Sequence, residues 1–129
     1  MKYDDFPILS TEQYHILKET YDIPLENGEL PLNMLVFKKG ALVCHDIPVK
    51  SISVRSRKST NAIHFKFDDF KTLGIWSKYL PTPANYICLE PWSTLPDCAD
   101  IGKELTEKVE IRKLLPGVKE TLTFSVTIE

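Results

Sequence analysis

Residues 51–67 read SISVRSRKSTNAIHFKF. In the first part Ile52 and Val54 fall on one side of an extended chain, with Ser51, Ser53 and Arg55 on the other. After a polar, basic interruption, Ile63, Phe65 and Phe67 alternate with His64 and Lys66. Side chains of a strand point alternately to its two faces, so this period of two predicts strands with one buried face. The run TLTFSVTI repeats the pattern, with Leu122, Phe124, Val126 and Ile128 set against threonines and Ser125. Arg55–Lys58 reads as the solvated end of a hairpin rather than as a phosphate site.

The same signal weakens and returns along the chain. LVF (35–37) and ALVC (41–44), parted by Lys38-Lys39-Gly40, predict two short strands around a turn. Asn27-Gly28, Pro81-Thr82-Pro83 and Pro116-Gly117 are turn signals. Nine prolines in 129 residues discourage long helices. One helix is predicted, STEQYHILKETY (10–21), capped by Ser10 or Thr11, although its Tyr14, His15 and Ile16 suit a strand as well. The expectation is a mainly β chain of about eight strands, an antiparallel β-sandwich forming one domain over 1–129, with 1–32 less regular. A sandwich begun midway would leave an edge and an apolar face uncovered, so the chain is expected to be the later portion of a larger fold.

Bulk composition narrows the function classes. Hydrophobic residues make up 43% and charged residues 26%, a globular balance. Sixteen basic and eighteen acidic residues give a formal charge of -2, so neither nucleic acid nor a membrane surface is an expected partner. No apolar run is long enough to span a bilayer, and acids interrupt the N-terminus where an export signal would be apolar. Cys44, Cys88 and Cys98 are an odd set without CxxC spacing, which fits the cytoplasm and argues against a disulfide framework or zinc site. His15, His45 and His64 show no metal-ligand spacing.

The stretch FDDFKTLGIWSKYLPTPANYICLEPWSTLPDCAD (67–100) holds the candidate site. A strand over Tyr86–Glu90 would put Tyr86, Cys88 and Glu90 on one face and Ile87 and Leu89 on the other. With Ile87 and Leu89 in the core, Glu90 opens to the opposite side. By itself such a residue is a solvated edge acid, a salt-bridge partner or a general base. A glutamate is ionised at neutral pH and is competent to accept a proton. Gly74 and Trp76 share a face in the same way, and a residue without a side chain beside an indole leaves room for a ligand. Trp76 is either a ligand contact or half-buried packing. Trp92, after Pro91, faces either the same ligand or a loop, and Asp97 either positions the site or belongs to a Pro-Asp turn. His64, between Ile63 and Phe65, is expected to be a solvated strand histidine. Cys88 shares the Glu90 face, yet no histidine lies near it in sequence, so an inert thiol is expected.

FKTLGIWSK (70–78), YICLEPWSTLPD (86–97), LTEK (105–108) and LLPGVKETLTFSVTI (114–128) together resemble the C-terminal portion of the aldose 1-epimerase (galactose mutarotase) family. The nearest branch is that of LacX-like, mutarotase-related bacterial proteins, and the likeness runs from about Leu30 to the end. The resemblance implies a large β-sandwich with a hexose of galactose or glucose type on its concave face, and no metal or nucleotide cofactor. It implies Glu90 as catalytic base, with Trp76, Trp92 and Asp97 as candidate sugar contacts. The family's acid is a histidine of the earlier portion, often in a Gly-His-Pro context that none of the three histidines here shares. Gly40, in VFKKGALV (36–43), stands near where LacX-like sequences carry an acid. Three functions remain open: an epimerase-related protein, incomplete alone; a non-catalytic carbohydrate-binding module; and an oligomerising interaction protein. A homo-oligomer or a complementing N-terminal polypeptide is the expected partner.

Overall fold

The computed structural model describes residues 2–5, 20–23, 25, 27–38, 40–79, 85–96 and 104–129. Eight strands lie among them: β1 (Lys2–Asp5), β2 (Thr20–Asp22), β3 (Leu42–His45), β4 (Ser51–Arg55), β5 (Ala62–Lys66), β6 (Thr72–Trp76), β7 (Cys88–Trp92) and β8 (Ser125–Ile128). Every pairing is antiparallel, in a five-stranded sheet of order β2-β1-β3-β6-β7 and a three-stranded sheet of order β4-β5-β8. The protein is an antiparallel β-sandwich, and among the described residues no helix is long and apolar enough to cross a membrane.

Alternation explains how the sheets meet. Leu42 and Cys44 of β3, and Leu73 and Ile75 of β6, turn inward against Phe65 of β5 and against Phe67 and Phe70 just beyond it. Ile52 of β4 and Leu89 of β7 join from the flanks. Phe67 and Leu73 are fully buried, and each such side chain contributes about 1.5–3 kcal/mol through removal from water. Phe65 and Phe67 stack at 5.8 Å, and Lys50 donates from Nζ to the Phe70 carbonyl at 3.0 Å. Burial raises the Cys44 thiol from 9.0 to about 11, because the thiolate would lie in the apolar core.

The interior is filled unevenly. Ile23 and Leu30 pack against the core from the segment before Asn33. Beside them a cavity of about 1220 Å³ opens between that segment and β4, floored by Ile75, Ile87 and Leu89 and rimmed by Arg55, Arg57 and Lys58. On the three-stranded sheet, register aligns Val54, Ile63 and Ile128 in one row and Ile52, Phe65 and Val126 in the next. Phe65 is buried, but Ile63, Val126 and Ile128 are 39%, 50% and 77% exposed. The opposite face is polar: His64 contacts Ser53 Oγ at 2.8 Å and Glu129 at 3.2 Å, the outward placement its flanking residues predict.

Four local expectations change, one being that only Ser125–Ile128 of the run TLTFSVTI forms a strand. LVF is not a strand; Met34–Phe37 forms a 3-10 turn. The Asn33 side chain accepts from the Leu35 amide at 2.9 Å, and Gly40 leaves the turn at φ 121°, so local hydrogen bonds take the place of a ladder. Within the predicted helix, Thr20 and Tyr21 belong to β2, which pairs with β1 at the edge of the larger sheet. The remainder of that helix, 10–19, lies outside the described residues, as does the Pro81-Thr82-Pro83 turn. The strand predicted over Tyr86–Glu90 begins two residues later and runs through Trp92. Pro91 sits in β7, the last strand of its described sheet, where a missing amide interrupts no inner ladder.

Candidate functional site

The β6–β7 pair sets the geometry. Trp76 faces Cys88, Gly74 faces Glu90, and Thr72 faces Trp92. Cross-strand partners share a face, so these six residues lie together on the side away from the core, while Ile75 and Leu89 lie inward. β3 extends the same face, with Val43 opposite Gly74 and His45 opposite Thr72. The predicted parity of Glu90 therefore holds, although Tyr86 precedes the strand.

Glu90 is half-buried between two aromatic groups. Toward one end of the pair, Trp76 meets Tyr86 with ring centroids 5.9 Å apart. Ser77, itself buried, donates from Oγ to the Tyr86 carbonyl at 2.7 Å and ties that loop residue to the end of β6. Toward the other end, the Trp92 indole donates from Nε1 to Glu90 Oε2 at 3.2 Å. Gly74 lies beneath the same ring: a methyl group built there would stand 2.8 Å from Cζ2 and 3.0 Å from Cε2 of Trp92. The space beside Gly74 is thus filled by Trp92, where the sequence suggests room for a ligand beside Trp76. Trp92, placed after Pro91, turns onto the sheet.

The far side of this face is walled. Leu95 is buried against Val43, and Trp92 and Val109 pack on that pair. Thr94 donates from Oγ1 to the Val109 carbonyl at 2.9 Å, joining the segment after β7 to the one around residue 109. Glu110, at φ 59°, reaches Lys71 Nζ at 3.3 Å and His45 Nδ1 at 4.0 Å, and His45 also meets Thr72 Oγ1 at 2.8 Å. His45 therefore shares the face of Glu90, which sequence reasoning missed. The signal was present, since Leu42 and Cys44 are apolar while His45 has the opposite parity. The two residues stand two strands apart, and a strand spacing of ~4.8 Å with a rise of ~3.4 Å puts their α carbons about 12 Å apart. His64 lies on the other sheet. Cys88 is half-buried, and Asp97 lies outside the described residues.

Glu90 thus presents a carboxylate with one oxygen held by an indole and aromatic surface on either side. Such a group can accept a proton from a hydroxyl, or a hydrogen bond from one. Two known proteins are similar to this chain: Protein LacX, plasmid, and Protein LacX, chromosomal, both of Lactococcus lactis subsp. lactis. Each is 34% identical over 105 residues, which is 81% of this chain and 34% of the relative. The chain spans about a third of the length of the curated relatives it matches. No family model matches it, and no solved structure does.

Proposed function

We propose that the chain belongs to the aldose 1-epimerase-related proteins of carbohydrate metabolism and supplies the catalytic base, Glu90, for anomer interconversion of a free hexose of galactose or glucose type in the cytoplasm. The observation that carries this reading is the Glu90 carboxylate on the outward face of β7, with Trp76 and Trp92 on the same face. The likeness to the LacX proteins and the motif resemblance from Leu30 onward support it. Glu90 takes the proton of the anomeric hydroxyl, the electrons of that O–H bond form the carbonyl, and the bond from C1 to the ring oxygen breaks. An acid protonates the ring oxygen, C1 turns, and closure reverses each transfer. Trp76 offers its ring to an apolar sugar face, and Asp97 is a further candidate sugar contact. The acid is assigned to the family portion that this sequence does not match.

General-base catalysis without its acid loses on the order of 10²–10⁴ in rate. The 129-residue chain is therefore expected to speed mutarotation of α-galactose weakly or not at all in polarimetry, with Glu90→Gln removing whatever remains. Enzyme-level equilibration by the chain alone would overturn the assignment of the acid, and its survival in Glu90→Gln would overturn the base. A second reading, a carbohydrate-binding module without catalysis, draws on the same aromatic residues and is favoured if galactose binds while Glu90→Gln changes no rate.

The partner is a second copy of this chain or a complementing N-terminal polypeptide, seated on the exposed Ile63, Val126 and Ile128 of the three-stranded sheet. Covering even ~400 Å² of such surface is worth about 10 kcal/mol before association costs.

A further inference from the structure

We propose that Gly74 and Trp92 form a clamp that fixes the orientation of Glu90, which makes Trp92 a positioning residue rather than a sugar platform. The role as a positioner of a base rests on the reading of Glu90 given above; the clamp itself does not. Residues two apart on one strand face project in parallel about 7 Å from each other, so an indole at position 92 meets a carboxylate at position 90 only by leaning back along the sheet. Leaning back carries it over the residue opposite Glu90, and that residue is Gly74. Any side chain there would collide with the ring, since even a β carbon comes within 2.8 Å of Cζ2. The ring is braced from its other neighbours, Val43 and Leu95, so the indole is held by packing independently of its hydrogen bond. The result is a directed donor, Nε1–H, on Oε2. Oε1 is left as the oxygen that receives a substrate proton. Restricting a carboxylate to one rotamer and one reactive oxygen is how a supporting residue raises the fraction of productive encounters without touching the substrate.

The test follows the Trp92 indole N–H in the 129-residue chain by ¹⁵N–¹H spectroscopy. Trp76→Phe assigns the signal, because the sequence holds only two tryptophans. A hydrogen bond to a charged acceptor is worth enough that Glu90→Ala should speed solvent exchange of this proton about tenfold or more. Gly74→Ala should do the same with Glu90 still in place, with other shifts confined to β6, β7 and the ring's neighbours Val43, Leu95 and Val109. Protection that is unchanged in Glu90→Ala, or retained in a folded Gly74→Ala, overturns the clamp. Should Gly74→Ala not fold, Glu90→Ala decides alone, because it adds no bulk and tests the bond directly. A purely structural tryptophan would be indifferent to Glu90 at equal thermal midpoint. Failure of the hexose reading would appear separately, as absence of galactose binding with the exchange pattern intact.

Discussion

β7 and β8 are both short strands at the ends of their described sheets, and both carry apolar residues at every second position, yet they meet different surroundings. In β7 each face is accounted for: Leu89 packs on the core, while Glu90 and Trp92 are held on the outer face by each other and by Gly74. In β8 the ladder to β5 is complete, and Thr123 at its approach donates to Asp69 at 2.7 Å. Its four residues are nonetheless all exposed, Ile128 most of all. Each strand is thus paired with its one sheet neighbour, and they differ in what covers the side chains. Alternation specifies that a face is apolar, and only the rest of the fold decides whether that face is buried.

The contrast is broken most forcefully through the core. Leu73→Ala on β6 removes a fully buried side chain and is expected to cost about 2–5 kcal/mol in urea unfolding. Ile128→Ala should cost less than ~1 kcal/mol if β8 stays uncovered in solution. A cost above about 2 kcal/mol for Ile128→Ala would mean that another polypeptide lies on it.

The same surface is tested by association. Light scattering at micromolar concentration should find more than one chain per particle, and Val126→Asp with Ile128→Asp should shift the equilibrium toward the monomer at least about tenfold, because buried charges resist desolvation. A monomer before substitution would assign the covering role to the N-terminal segment, from which Ile23 and Leu30 already reach the core.

A smaller effect reads the burial of the core by pH. The Cys44 thiol titrates near 9.0 when unfolded and is raised to about 11 by burial. Over that interval the folded state holds the proton that the unfolded state has released, so stability falls as pH rises from 9 toward 11 and is unaffected by this group below 9. Cys44→Ala should flatten that decline by about 1–2 kcal/mol in unfolding free energy, as expected of a shift of this size.

How much of this was legible in the sequence follows from the same distinction. The strands at 51–55 and 62–66, the inward set of Leu73, Ile75, Ile87 and Leu89, and the outward placement of Glu90 follow from parity. Three features did not follow, each for a different physical reason. The turn at Met34–Phe37 is decided by a side-chain cap at Asn33, which competes with strand pairing. Thr20 and Tyr21 join β2 because β1 offers a partner, and tertiary pairing overrides a weak helical pattern. The contacts of Trp92 with Gly74, and of His45 with Glu110, join residues far apart in sequence, and periodicity carries no information about such meetings. Glu90 could be placed on a face from its neighbours alone; the side chain that holds it could not be identified in that way.

The central claim, that the outer face of β6 and β7 is the hexose site, is tested most directly by titrating the ¹⁵N-labelled chain with galactose and glucose. Saturable shifts are expected at the Trp76 and Trp92 indoles and the Glu90 amide, and they should be weakened by Glu90→Gln. Shifts confined to Arg55, Arg57 and the cavity between β4 and residues 28–32, or no saturable shifts with either sugar, would contradict it.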